Sequence, residues 1–212
     1  MLVLAGTIGA GKSSLAKALG EHFGTKVFYE SVEDNPVLDL YYKDPQKYAF
    51  LLQIYFLNKR FCSIKDAYTD DNNVLDRSIF EDALFLDSHF KNGNVTAQEH
   101  QVYHDLLDNM MEELDGMPKK APDLLIYIDV NFETMLNRIK MRGRNFEQIE
   151  DNPELLDYYR QVHSEYPAWF DAYDKSPKIR IDGTTYDFVN NSDDLNTVSQ
   201  QIEQTLELRD QM

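Results

Sequence analysis

Near its beginning the sequence reads Leu2-Val3-Leu4-Ala5-Gly6-Thr7-Ile8-Gly9-Ala10-Gly11-Lys12-Ser13. A short apolar run stops at a glycine loop. Beyond the loop, Leu15, Leu19 and Phe23 recur at helical spacing. The loop Gly6–Ser13 matches G-x-x-x-x-G-K-[ST], and it lies between an expected strand and an expected helix, the context that motif needs. The glycines let the backbone turn tightly, so that its N–H groups face an anion. The helix adds the positive end of its dipole. Lys12 is placed to reach the β- and γ-phosphates of ATP, and the Ser13 hydroxyl suits Mg²⁺. A glycine turn that merely precedes a helix is the bland alternative, and the flanking pattern argues against it. Gly6, Thr7, Ile8, Gly9, Ala10, Gly11, Lys12, Ser13 and Ser14 are therefore expected to line a triphosphate site.

Working outward, Lys26–Tyr29 reads as a second strand, Val74-Leu75 as a third, Asp123–Val130 as a fourth and Lys178–Ile181 as a fifth. Asp44-Pro45 starts a long helix to about Tyr68, since Pro is tolerated at the first helical position. Its expected core stripe is Leu51, Ile54, Leu57, Phe61 and Ile64. Further helices are expected over Ile79–Phe90, from the capping box Thr96-Ala97-Gln98-Glu99 to about Leu114, over Phe132–Met141, over Pro153–Tyr173 and over about Asp193–Leu208. Strands alternating with helices, opened by the glycine loop, imply an α/β fold of P-loop type: a parallel sheet of about five strands with helices on both faces. The whole chain reads as one domain, with a small lid at about 138–150. Ligands of such sheets sit beyond the carboxyl ends of the strands. The loop, Glu30 and Asp76-Arg77 all fall there, so they should converge.

The chain has 212 residues, 42% of them hydrophobic, and a formal net charge of -16. That acidity argues against a nucleic-acid partner, whose binding surfaces are basic. A triphosphate can still bind, because a local cluster of donors outweighs distant charge at physiological screening. The single cysteine, Cys62, reads as a small buried hydrophobe and cannot form an intrachain disulfide. The five histidines show no ligand spacing on this reading, Met110-Met111 reads as helix core, and Trp169 as core or dimer packing. No stretch approaches the ~18 apolar residues of a membrane span, and no signal-peptide pattern opens the chain. A cytoplasmic setting is expected. A regulatory GTPase is excluded, because its N-K-x-D and D-x-x-G motifs are missing.

Several polar residues then ask for a role. Glu30 faces the phosphate loop and could take a proton from an attacking hydroxyl, or simply cap a helix. Asp76 suits a metal-side carboxylate, while Asp76-Arg77 could equally be a buried salt bridge. Gln53 and Arg60 are seven apart, on nearly one helix face, in an apolar run where a glutamine needs partners. Arg138 and Arg142 stand i, i+4, and two like charges so placed repel unless an anion lies nearby. Arg144 extends that cluster.

The Gly6–Ser13 loop, Glu30, the Tyr42…Gln53…Arg60 helix, Asp76-Arg77-Ser78 and Arg142-Gly143-Arg144-Asn145-Phe146-Glu147 occur in the order seen in deoxynucleoside kinases. The chain resembles that family over nearly its whole length, and especially the purine-preferring deoxyadenosine and deoxyguanosine kinases of lactic acid bacteria. The resemblance implies transfer of the ATP γ-phosphate to a deoxynucleoside 5′-hydroxyl, with Mg²⁺ at Ser13 and Asp76, usually in a homodimer. It implies Glu30 as general base with Arg77 beside it, and Tyr42 and Glu147 on the sugar 3′-hydroxyl. Gln53 would read the base with Arg60 and Asp82 beside it, and Arg138, Arg142 and Arg144 would surround the phosphates. Deoxyadenosine is the expected substrate, with deoxyguanosine or deoxycytidine also compatible. The sequence departs from many relatives in carrying Asp76 for glutamate and Ser31 for a proline after Glu30. The rival readings are a thymidylate-kinase-like monophosphate kinase and an ATP-binding regulatory module without catalysis.

Overall fold

A computed structural model gives the architecture and describes residues 1–30, 32, 34–67, 69, 73–115, 122–150 and 152–210. Five strands, β1 (Leu2–Ala5), β2 (Val27–Phe28), β3 (Val74–Asp76), β4 (Leu124–Asp129) and β5 (Lys178–Asp182), form one sheet in the order β2-β3-β1-β4-β5. Every pairing is parallel. The helices are α1 (Lys12–Phe23), α2 (Leu38–Lys43), α3 (Pro45–Ala67), α4 (Asp82–Lys91), α5 (Ala97–Asp115), α6 (Phe132–Arg142), α7 (Pro153–Ala172) and α8 (Ser192–Asp210).

The sheet is buried on both sides, and its alternation divides the core in two. Val3, Ala5, Leu75, Leu125 and Tyr127 face a layer built from α3, α4, α5 and α7. Leu2, Leu4, Val74, Leu124, Ile126 and Ile128 face the opposite layer of α1, α6 and α8. Period-two side chains that are apolar on both faces are what a fully covered parallel sheet requires.

The expected elements are present, with shifted edges. The second strand contracts to Val27–Phe28, because it pairs only with β3 and Tyr29 leaves the sheet, half exposed. The helix that starts at Pro45 is preceded by α2, which sequence reading missed. The two are separate because Asp44, at φ -150 and ψ 81, precedes a proline and is held out of the helical region. The end expected at Tyr68 lies outside the described residues. Leu51, expected in the core stripe, is 49% exposed. The buried stripe of α3 instead runs through Ala49, Leu52, Gln53, Leu57, Arg60, Phe61, Ile64 and Ala67. Two polar residues therefore belong to it, and Ile54 is only partly buried. Cys62 is exposed rather than buried, since it follows Phe61 onto the outer side of α3. The segment after Ser78 opens as a 3₁₀ turn, Ile79–Glu81, before α4. The capping box holds: Thr96 Oγ accepts from Glu99 N at 3.2 Å, and Glu99 Oε2 accepts from Thr96 N at 2.8 Å. Trp169 is core packing, its indole N–H donating to Phe80 O at 3.0 Å. Met110 and Met111 are partly buried against the core. No described helix is long and apolar enough to cross a membrane.

Gly20 sits inside α1, where a Cβ would lie 2.3 Å from Val27 Cγ2. Ala usually stabilises a helix interior by ~1 kcal/mol relative to Gly. Here Val27 is stiff at χ1, so the overpacking cost of about 1–3 kcal/mol prevails. Gly20→Ala should lower the urea midpoint at unchanged m-value; a raised midpoint would show that β2 yields freely.

Candidate active site

At the carboxyl ends of β1, β2 and β3 lies a cavity of about 1090 Å³. Ile8, Gly9, Gly11, Lys12, Ser13 and Ser14 line it, and Glu30, Tyr42, Gln53, Arg60, Asp76, Arg77, Arg138, Arg142, Arg144 and Glu147 share the same cavity. The convergence expected from topology is thus realised. Gly6, Thr7, Ala10 and Asp82 are not in its wall: Ala10 and Asp82 are fully buried, and Thr7 nearly so.

The loop owes its shape to glycine. Gly6, Gly9 and Gly11 all have positive φ, and a Cβ at Gly6 would meet Ile128 O at 2.8 Å. Lys12 is buried, and its ammonium donates to Gly6 O at 2.8 Å and Thr7 O at 2.9 Å. Burial, followed by the neighbouring Arg77, lowers its pKa to about 8. Ser13 Oγ donates to Asp76 Oδ2 at 2.5 Å. The other oxygen, Asp76 Oδ1, is buried without a hydrogen-bond partner among the described residues. A hydroxyl beside a carboxylate with a spare oxygen fits a hard cation, which takes oxygen ligands.

Behind the loop is a charge network. Arg77 Nε forms an ion pair with Glu30 Oε1 at 2.9 Å, and Nη1 with Glu81 Oε1 at 2.9 Å. Arg60 bridges Glu30 through Nη2 and Asp82 through Nη1. Burial alone would raise the Glu30 pKa, but Arg77 and Arg60 prevail and hold it at about 2. Asp82 therefore pins Arg60, and its Oδ2 stays unpartnered among the described residues. Glu81 was missed in the sequence. It is fully buried, and its Oε2 accepts from Gly6 N at 3.1 Å, which ties the loop to Arg77. Tyr166, also missed, accepts from Arg77 Nη1 at 3.2 Å and donates to Gly6 O at 3.0 Å.

On the other side, Tyr42 packs against Phe146 with ring centroids 4.9 Å apart. Glu147, 4% exposed, accepts from Arg142 Nη2 at 2.5 Å and Arg144 Nη1 at 3.3 Å. Arg138 Nη1 donates to Ala10 O at 2.8 Å and Nη2 to Gly183 O at 2.7 Å. The repulsion expected between Arg138 and Arg142 is thus relieved by carbonyls and a carboxylate. Ser31 and Glu33, next to Glu30, lie outside the described residues. Away from the cavity, Asp87 Oδ1 meets His100 Nε2 at 2.7 Å and His104 Nε2 at 3.0 Å. These three could hold a metal ion, which corrects the reading that no histidines had ligand spacing: the pair is i, i+4 on α5.

The family model described as deoxynucleoside kinase matches residues 2–207. A deoxyguanosine kinase of Lactobacillus johnsonii is 57% identical over 202 residues, which cover 95% of this chain and 90% of that protein. A deoxyadenosine kinase of Lactobacillus acidophilus is 50% identical over 206 residues, covering 97% and 96%. A solved structure of deoxyadenosine kinase from M. mycoides with bound dCTP is similar at a TM-score of 0.80 and 28% identity, covering 96% of this chain and 100% of that one.

With a pKa of about 8, Lys12 is half-protonated at pH 8 in the free protein. A bound triphosphate favours the charged ammonium, so binding there must take up protons, about half a proton per site. Affinity should fall as pH rises through 8. Calorimetric titration with ATP at pH 8, in two buffers of different ionisation enthalpy, reads this uptake; a value of zero would show that Lys12 is already fully charged before ATP binds.

Proposed function

The chain belongs to the deoxynucleoside kinase family, and from that premise we propose how its residues divide the work of an ATP-dependent purine deoxynucleoside kinase. One observation carries the reading: an ionised carboxylate, Glu30, shares a single cavity with the phosphate loop and with a buried amide, Gln53.

ATP lies with its phosphates along Gly6–Ser14. Ser13 and Asp76 would hold Mg²⁺, which would supply positive charge to the phosphates. Asp76 Oδ1, buried and unpartnered among the described residues, supports that assignment. The deoxynucleoside 5′-hydroxyl approaches Glu30, which accepts its proton as the oxygen bonds to the γ-phosphorus and the bond from that phosphorus to the β,γ-bridging oxygen breaks, releasing ADP. Arg77 fixes Glu30. Lys12, Arg138, Arg142 and Arg144 stabilise the charge on the transferred group. Phosphoryl transfer depends chiefly on such positioning and electrostatics. Tyr42 and Glu147 hold the sugar 3′-hydroxyl. Gln53 reads the base, donating to N7 and accepting from N6 of adenine. Arg60 orients Glu30, and Asp82, buried behind the cavity wall, holds Arg60 rather than touching the base.

The segment 138–150 acts as a lid that closes over the phosphates and excludes water. The ion pairs of Arg142 and Arg144 with Glu147 support a closing contact, which a bound ligand would rearrange. The homodimer implied by the resemblance and the expected cytoplasmic setting are part of the same proposal. A monophosphate acceptor is disfavoured, because Glu30 and Asp34 both line the acceptor side and would repel it.

ATP consumption should depend on an added deoxynucleoside, with deoxyadenosine or deoxyguanosine ahead of thymidine. A stronger response to deoxynucleoside monophosphates would instead establish the monophosphate-kinase reading. Glu30→Gln should keep ATP binding and lower kcat by roughly 10² or more; near-normal turnover would sink the base assignment. Gln53→Ala should cut kcat/KM for deoxyadenosine about tenfold to a hundredfold, the scale of one bidentate contact of ~1–3 kcal/mol. Unchanged preference in that variant would show that another group reads the base.

A further inference from the structure

His89 is a buried polar group for which the proposed mechanism has no use. It is 1% exposed, yet it lines the cavity together with Gln53, Phe85, Tyr41 and Tyr158. It follows Asp82 and Phe85 on α4 at i+7 and i+4, so the three share one helix face. Its ring lies parallel to Tyr158, with an interplanar angle of 11° and centroids 5.1 Å apart. Tyr41 meets it edge-on at 5.3 Å. Neither Nδ1 nor Nε2 has a hydrogen-bond partner among the described residues. Burial lowers its pKa to about 4, so the ring is neutral at working pH. A neutral imidazole carries one donor and one acceptor, and in a buried wall both favour a partner.

We propose that His89 is a second base-reading residue, which hydrogen-bonds the purine ring of the deoxynucleoside at an edge different from the one Gln53 takes. The inference rests on the kinase reading above and extends it. The base, rather than the sugar or the phosphate, is the partner because of what surrounds His89. Its neighbours are flat aromatic rings, whereas the charged groups of the cavity gather around Glu30, Lys12 and Glu147. Gln53 projects from α3 and His89 from α4, two different walls. Two readers on separate walls suit a fused bicyclic base, which carries polar atoms at N1, N3 and N7 and at its exocyclic groups. A pyrimidine offers one contiguous polar edge. The imidazole can exchange tautomers, donating to a ring nitrogen of adenine or accepting from an N–H of guanine, so one residue can serve both purines.

The test compares His89→Leu and His89→Asn with the unaltered protein, using deoxyadenosine, deoxyguanosine and deoxycytidine as acceptors. His89→Leu should lower kcat/KM for the purines about tenfold, leave the KM for ATP unchanged and largely spare deoxycytidine. His89→Asn, which keeps a donor and an acceptor, should recover part of the purine preference. An equal loss on all three acceptors, with a lowered Tm, would mark His89 as packing only and overturn the proposal. As a readout independent of turnover, ¹⁵N-histidine NMR should show His89 nitrogen shifts on adding deoxyadenosine, reduced with the 1-deaza or 3-deaza analogue that lacks the contacted ring nitrogen. Unmoved His89 resonances at saturating nucleoside would refute it. If no deoxynucleoside drives ATP consumption in the unaltered protein, the kinase reading itself fails. If turnover is normal and only the preference ignores His89, this inference alone fails.

Discussion

The guanidinium of Arg77 joins parts of the chain that are far apart in sequence. It meets Glu30 beyond β2, Glu81 in the turn before α4, and Tyr166 on α7. Glu81 and Tyr166 in turn take the N–H and C=O of Gly6, so the phosphate loop hangs from the same cation. Arg77 is also the one non-glycine among the described residues with positive φ, at 123°. Such a conformation carries a cost on the order of 1–3 kcal/mol and persists where its surroundings over-determine it. The surroundings here are charges. Lys12, Arg60 and Arg77 are interleaved with Glu30, Asp76, Glu81 and Asp82, and every one of these cations is buried. Buried ion pairs contribute little net stability, but loss of one partner leaves its neighbours uncompensated. The network is therefore better read as a device for holding geometry than as a source of stability.

The sheet order explains why the network assembles at this place. From β1 the chain passes over the position of β3 to the edge strand β2, returns to insert β3, and crosses to the other side of β1 for β4. β1 is thus flanked by strands reached in opposite directions, and a crevice opens beyond its carboxyl end. The glycine loop fills that crevice because it directly follows β1. Glu30 and Asp76 come to its rim because they follow or end the next two strands. Nothing about the chemistry need be known to predict their meeting; parallel pairing and strand order suffice.

That logic also marks where the sequence stopped being readable. Strand ends and the loop have local signatures, so the fold and the convergence of Lys12, Glu30, Asp76 and Arg77 could be read directly. The stripe of α3 could not. Hydrophobicity alone placed Leu51 inside, whereas the buried positions include the polar Gln53 and Arg60, and Arg60 finds its partners, Glu30 and Asp82, on other elements. Cys62 was misplaced for the same reason, because a small apolar residue gives no sign of which helix face it occupies. Glu81 and His89 escaped because a buried acid or imidazole looks like a surface one until its tertiary neighbours are known. The sharing of Asp87 by His100 and His104 depends likewise on α4 packing against α5.

The electrostatics of Glu30 constrain the chemistry more tightly than its position does. A carboxylate held near a pKa of 2 by two guanidinium groups is ionised at every working pH, but it is a weak base in the free protein. A mechanism that required early and complete deprotonation of an alcohol would find it poorly suited. Phosphoryl transfer through a loose transition state does not, since the nucleophile keeps its proton until bonding to phosphorus is advanced and its acidity has risen. On the proposed mechanism the reaction needs from Glu30 a fixed acceptor, aimed at the hydroxyl and still unprotonated when the late proton transfer comes. The arginine pair secures both properties. It gives up basicity, which a late proton transfer can spare, in return for constant charge and orientation. The same trade is written in Lys12 with the opposite sign: burial brings its pKa down to about 8, and on the proposed reading a bound phosphate would restore the charge.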